Sequence, residues 1–177
     1  MARCGLRWGV FLAAGIVALA SGRADAQTAR ADLRDAQGQS VGTVTFTQGQ
    51  EGVHVSVRAA KLPPGYHGFH VHAVGKCEGP AFTSAGGHFN PAGRNHPEHA
   101  GDLPALLVNA DGSGWMTFHT VRFKLNDLFD ADGSALIIHG APDNYAHIPD
   151  RYRPAPDSGT LGTGDAGARI ACGVITR

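Results

Sequence analysis

Apolar residues recur at every second position in one short run after another, and nowhere settle into a repeat of three and four. Val44 and Phe46 alternate with Thr43, Thr45 and Thr47, and Val53, Val55 and Val57 alternate with His54, Ser56 and Arg58. A period of two puts one set of side chains on each face of an extended chain, the pattern of a half-buried β-strand. Gln50-Glu51-Gly52 between these runs reads as a hairpin loop. Similar short strands are expected at 67–74, 104–109, 114–123, 134–139 and 170–175, with Asp111-Gly112 and Asp132-Gly133 as hairpin-type turns. Residues 27–40 are polar and read as a frayed lead-in. No sustained 3.6-residue pattern is present, so any helix is short. The expected fold is an all-β sandwich or barrel of roughly seven or eight strands.

Two segments resist that pattern. Residues 75–102 and 140–168 are rich in Gly, Pro, Asn, Asp and His. Loops of that length in a compact domain are functional or disordered. Cys77 stands near the start of the first and Cys172 just after the second, which favours order and function. Gly162-Thr163-Gly164 is not a phosphate loop, because no strand precedes it and no helix follows.

The first residues belong to a different problem. Arg3 and Arg7 precede an apolar run from Trp8 to Ala20, and Ala24-Asp25-Ala26 supplies a small-x-small cleavage pattern. This is the layout of an export signal over residues 1–26, leaving 27–177 as one mature domain, periplasmic or secreted. The run is too short to anchor the chain across a bilayer core of about 30 Å. Ser21-Gly22-Arg23 offers no cysteine for lipidation. Cleavage removes Cys4 and leaves Cys77 and Cys172, most simply a disulfide in an oxidising compartment. Three arginines and one aspartate also leave, so the formal charge moves from 0 to −2. That balance argues against nucleic acid or an anionic membrane as partner.

All ten histidines remain after cleavage, a strong compositional hint of metal. Phe69-His70-Val71-His72 places two imidazoles on one face of a strand, about 7 Å apart along it. Neutral imidazoles so placed can reach one ion, and they suit copper and zinc. The first loop adds His88, His96, His99 and Asp102, four ligands of the kind a closed structural zinc site uses. His139 ends the apolar run Ala135-Leu136-Ile137-Ile138, where position alone favours an ordinary core-edge histidine.

GFHVHAVGKC, TSAGGHFNP, HAGDLP, ALIIHGAPDN and GARIACGVI occur in that order over nearly all of the mature chain. In this the sequence resembles the copper–zinc superoxide dismutases of the bacterial, exported type. The resemblance implies a Greek-key β-sandwich or flattened barrel of about eight antiparallel strands with two long functional loops. It implies disproportionation of superoxide to oxygen and hydrogen peroxide, in antioxidant defence, with one copper and one zinc ion per subunit. By motif, His70, His72, His88 and His139 match the copper ligands, and His88, His96, His99 and Asp102 the zinc ligands, His88 bridging the two. Asp143 matches an aspartate that ties a copper ligand to a zinc ligand, Arg169 the arginine that guides the anionic substrate, and Cys77–Cys172 the family disulfide. His67 matches a hydrogen-bonded, non-ligating position. Zinc is redox-inert and structural, and copper carries the electron.

His54, His119 and His147 read as surface residues. Arg151 and Arg153 in the second loop could add to a field that steers superoxide. Only Pro97 and Glu98 separate His96 from His99, a shorter spacing than many of the family carry, so zinc binding is the open part of the set. The competing function is a non-catalytic copper- or zinc-binding protein on the same fold. A homodimer is compatible with the sequence, which does not single out an exposed apolar strand.

Overall fold

Among the described residues nine strands make one antiparallel sheet in this computed structural model: β1 (Thr28–Asp35), β2 (Ser40–Gln48), β3 (Val53–Ala59), β4 (Gly65–His67), β5 (Phe69–His72), β6 (Leu106–Val108), β7 (Gly114–Thr120), β8 (Ala135–His139) and β9 (Arg169–Thr176). The structure describes Met1, residues 27–152 and residues 155–177; the expected export signal, with Cys4, and Arg153 lie outside the described residues. The strands bond in the order β4-β6-β7-β3-β2-β1-β9-β8-β5. The two edges of this sheet, β4 and β5, are neighbours in sequence with only Gly68 between them. The sheet must therefore curl until its edges meet. The His139 N–H donates to the Gly68 carbonyl at 2.8 Å. His67 Nδ1 lies 2.7 Å from the His139 carbonyl. Both contacts stitch the corner of a nearly closed barrel.

The barrel interior is filled by the inward half of each alternation. Leu33, Val44, Phe46, Val55, Val57, Phe69, Val71, Leu106, Leu136 and Ile138 form one buried cluster. Each large aliphatic or aromatic side chain so buried contributes roughly 1.5–3 kcal/mol over leaving it in water. A second cluster, outside the barrel wall, joins Phe82, Ala85, Ala135, Ile137 and Cys172, with Cys77 packed on it. β8 is thus apolar on both faces: Leu136 and Ile138 point inward, Ala135 and Ile137 outward beneath the first loop. That is why ALII reads as a continuous apolar run.

Three expectations need correction. Residues 28–35 are not frayed. They form β1, paired with both β2 and β9, with Ala29, Ala31 and Leu33 turned inward. Two of those three side chains are alanines, so the alternation is present but its hydrophobic signal is weak. The expected strand 67–74 is split by Gly68 into β4 and β5. Asp132-Gly133 is not a hairpin, because β7 and β8 are not neighbours; it ends a turn that follows a 3-10 segment at Leu125–Leu128. Among the described residues the one α-helix, α1 (Ser158–Thr163), lies in the second loop.

Candidate metal centre

β5 is an edge strand, yet all four of its residues are buried. The first loop covers its free edge by pairing with it: Val71 N–H donates to the Gly101 carbonyl at 2.9 Å and Phe89 N–H to the Val71 carbonyl at 2.8 Å. Isolated antiparallel bridges join His70 to Asp102 and His72 to His88. The backbone thereby carries His88 and Asp102 to the face from which His70 and His72 project. At Gly101 an added Cβ would strike the Val71 carbonyl oxygen, so this close approach requires glycine.

Four rings converge there. His70, His72, His88 and His139 are 0%, 1%, 7% and 3% exposed, and one ligand atom from each lies within 4.8 Å of the others. The outward nitrogens are engaged by the protein. His70 Nε2 is 2.8 Å from Asp143 Oδ2, His72 Nδ1 is 2.9 Å from the Gly86 carbonyl, and His139 Nδ1 is 3.1 Å from the Gly167 carbonyl. The inward nitrogens have nothing of opposite character to meet. Among the described residues His70 Nδ1 and His88 Nε2 are buried without a hydrogen-bond partner, and His72 Nε2 faces His139 Nε2 at 3.4 Å. Buried polar atoms are normally satisfied. A cluster of acceptors with oriented outer partners is what a transition-metal cation would satisfy, and imidazole donors suit copper.

A second group lies on the far side of the His88 ring. His88 Nδ1 is 2.8 Å from Asp102 Oδ1, His96 Nδ1 is 3.0 Å from Asp102 Oδ2, and His99 Nδ1 is 3.2 Å from both His88 Nδ1 and Asp102 Oδ1. Three Nδ1 atoms around one carboxylate fit the nitrogen-and-oxygen set of a closed zinc site. By proximity alone His70 also falls in with His88, His96 and Asp102. His70 is already committed through Nε2 to Asp143, so His99 completes this group better.

Asp143 spans the two groups. Its Oδ2 meets His70 and its Oδ1 meets His96 Nε2 at 2.8 Å, while the Tyr145 N–H donates to Oδ1 at 2.7 Å. The short HPEH segment is held from the second loop as well: the His96 N–H donates to the Leu161 carbonyl of α1 at 2.8 Å. α1 ends at Gly164, whose φ is +61° and where a Cβ would collide with Asp143 Oδ1 and His96 Nε2. Within Gly162-Thr163-Gly164, Gly164 thus serves close packing, whereas a Cβ at Gly162 would meet open space. The Tyr145 ring stacks 6.4 Å from His96, and its hydroxyl accepts from the Ala105 N–H at 2.8 Å. Arg122 Nη1 donates to the His99 carbonyl at 2.9 Å.

Arg169 donates from Nη1 to the Phe82 carbonyl and from Nη2 to the Gly86 carbonyl, each at 2.6 Å. Gly86 is the residue that also holds His72, so one carbonyl orients a ring of the cluster and the guanidinium beside it. Cys77 and Cys172 are disulfide-bonded, as expected. His67 is held by the carbonyls of His139 and Pro63 and is not part of either cluster. His54 is half-buried and His119 and His147 are exposed, and none of the three belongs to either cluster. Tyr145, Arg122 and the carbonyls of Gly86 and Leu161 carried no sequence signal, because their role is visible only once the loops meet.

The titrations of the metal-free centre follow from these contacts. Burial pushes His72 down to about 2 and His139 down to about 3. For His96 burial pulls the same way, but Asp102 and Asp143 outweigh it and raise the ring to about 9. For Asp102 burial acts upward and is overcome by His88 and His96, leaving the carboxyl well below its usual range. An unfolded histidine titrates near 6.5. As pH falls below that value the unfolded chain takes up protons that folded His72 and His139 refuse, and stability drops. The contribution of His96 is complete below about 6.5 and is lost as pH rises toward 9. The metal-free protein is therefore expected to melt highest near pH 6–7 and lower on both sides. Metal binding requires neutral imidazole, so loading should abolish the alkaline decline. Calorimetry from pH 4 to 9 on both forms checks this; a metal-free midpoint flat from pH 7 to 9 would contradict the His96 pairing.

Comparison with known proteins gives this geometry its context. The family described as copper/zinc superoxide dismutase matches residues 40–175, most of the chain. A superoxide dismutase (Cu-Zn) of Mycolicibacterium paratuberculosis is 41% identical over 162 residues, which cover 81% of this chain and 71% of that protein. The Escherichia coli K12 enzyme of the same name is 38% identical, covering 78% and 80%. Among solved structures, the Cu/Zn superoxide dismutase from Brucella abortus aligns with a TM-score of 0.67 and 34% identity over 85% of this chain and all of that one. A SOD-like protein from Bacillus subtilis aligns at 0.66 with 37% identity, over 81% and 95%. Sequence motifs, barrel and paired histidine clusters agree, and the chain belongs to the copper/zinc superoxide dismutase family.

Proposed function

We propose that the chain carries out its family's reaction, two superoxide anions and two protons giving oxygen and hydrogen peroxide, at the cluster of His70, His72, His88 and His139. In this reading those four rings hold copper, and His88, His96, His99 and Asp102 hold zinc. The observation that carries it is the convergence of four buried imidazoles, three of them oriented through an outer nitrogen by Asp143, Gly86 or Gly167, while among the described residues the inner His70 Nδ1 and His88 Nε2 have no hydrogen-bond partner and His72 Nε2 meets His139 Nε2. Bound copper supplies one-electron exchange with superoxide, while bound zinc is redox-inert.

The chain's own residues do the rest. Arg169 presents a fixed positive charge where the first loop opens beside His72, drawing in an anion and orienting it. His88 can hold a proton at Nε2 while Asp102 keeps Nδ1 and the ring in place. Asp143 fixes the tautomer of His70 by accepting from Nε2, which leaves Nδ1 as the donor atom of that ring. Arg151 of the second loop is exposed, over the Tyr152 ring, and with Arg153 is the candidate for added steering charge. If neutralising Arg151 and Arg153 together leaves the rate and its salt dependence unchanged, they do not steer.

The competing reading, a metal-holding protein without turnover, predicts a missing ligand or a missing cation beside the cluster. All four histidines and Arg169 are in place. The decisive experiment is superoxide decay by the copper- and zinc-loaded mature protein beside His139→Ala. Wild-type decay is expected to exceed the variant's by at least an order of magnitude, since an outer partner alone costs about 10–100-fold. Equal decay would overturn the enzymatic reading.

The mature unit is taken as residues 27–177, exported; the disulfide supports an oxidising compartment. Among the described residues no helix is long and apolar enough to cross a membrane. Exposed Tyr66, Leu107 and Trp115 support a homodimer. N-terminal sequencing and the sedimentation mass of the exported protein test both points.

A further inference from the structure

Away from the buried clusters, β3 and β7 carry a second pair of imidazoles. His54 and His119 are directly opposite each other in the antiparallel register. Their ring centres are 4.9 Å apart with planes at 61°. Both side chains are on the outer face of the barrel, His54 half-buried and His119 exposed. Among the described residues the ring contact of each is with the other.

That spacing has a yardstick inside the same molecule. His70 and His139, two members of the buried group, are also 4.9 Å apart at 61°. The distance follows from chemistry. With a metal–nitrogen bond of about 2.0–2.1 Å, a ring centre lies roughly 3.2 Å from the ion, and two rings at a tetrahedral angle are about 5 Å apart. The pair is also pre-organised. Val53↔Thr120 and Val55↔Phe118 flank it in register, and Val53 and Val55 are fully buried anchors on the inner face. Its row across the sheet continues through Thr47 of β2 and Thr28 of β1, with no cationic side chain to repel an ion.

We propose that His54 and His119 form a surface site for one late first-row divalent cation, with copper(II) bound most tightly. Two imidazoles supply two ligands, and water completes the shell of an ion on an exposed face. The order of affinities for nitrogen donors places copper(II) above zinc(II). The site would keep a further copper equivalent on the outside of the barrel, independent of the buried ions.

The test uses the mature protein already loaded with copper and zinc, its buried content counted by elemental analysis after passage over a chelating resin. Copper(II) chloride is then added and followed by equilibrium dialysis and electron paramagnetic resonance. Wild type is expected to take up one additional equivalent with a nitrogen-coordinated signal. H54Q and H119Q should each lose it, while H147Q keeps it. Superoxide decay should be unchanged in H54Q and H119Q. Absence of an additional equivalent in wild type, or its retention in either variant, overturns the proposal. Because the buried metals are counted first, that failure is distinct from failure of the buried centre.

Discussion

Replacing Asp143 with alanine is expected to weaken zinc binding about 10–100-fold while copper binding falls by less. The asymmetry comes from what else holds each ring. His70 sits on β5, whose backbone is fixed by β8 on one edge and by the first loop on the other. Its ring position survives the loss of one partner. His96 sits on a short loop segment, and its ring is held between Asp102 at Nδ1 and Asp143 at Nε2. Without Asp143 the Nε2 of each ring is left buried and unpaired, and an uncompensated buried polar group costs about 1–3 kcal/mol. The Tyr145 N–H loses its acceptor at the same time, releasing the strap that lies over His96. Asparagine should not rescue fully, because it offers one acceptor oxygen where two ring donors need one each. Chelator competition on the two metals separately measures the split. Equal losses, or none, would show that Asp143 does not join the two groups.

The parts of this centre that were legible in the sequence are the parts built on strands. His70 and His72 share a face because the strand period is two, and Phe69 and Val71 supply the core anchor that makes the face unambiguous. His139 was ambiguous from position alone, and the motifs of the family resolved it. The loops were legible as ligand sets but not as structure. The short His96–His99 spacing left zinc binding the open part of the set, and the segment is held by partners outside itself. Leu161 holds its backbone, Asp143 and Asp102 hold its ring, and all three partners are remote or semi-remote in sequence. A backbone carbonyl such as Gly86 or Leu161 has no residue-type signature, so no reading of side chains could nominate it. β1 was missed for a different reason: alanines pack well against a crowded neighbouring strand but contribute little to a hydrophobicity pattern.

Converting Cys77 and Cys172 together to serine is expected to lower the melting midpoint by on the order of 10 °C and to weaken the reaction with superoxide as well. The bond closes a loop with a sequence separation of 95. In the chain-entropy account a loop near 100 residues is worth about 4–5 kcal/mol, and in a domain of this size each kcal/mol moves the midpoint by about 2–4 °C. Total stabilities lie around 5–15 kcal/mol, so the loss is a large share. The effect on activity follows from where the bond sits. Cys77 and Cys172 belong to the small cluster outside the barrel wall with Phe82, Ala85 and Ile137. That cluster seats the segment whose Phe82 and Gly86 carbonyls hold the Arg169 guanidinium, and Gly86 also holds His72. Loosening it frees the cation before it frees the ligands, three of which stand on β5 and β8. The serine variant should therefore retain its copper yet react more slowly, with a weaker dependence on salt, since the steering charge is no longer fixed. Elemental analysis beside superoxide decay at low and high ionic strength separates these effects. A variant that loses copper in proportion to activity would mean that the disulfide supports the ligand cluster directly and that Arg169 is anchored without it.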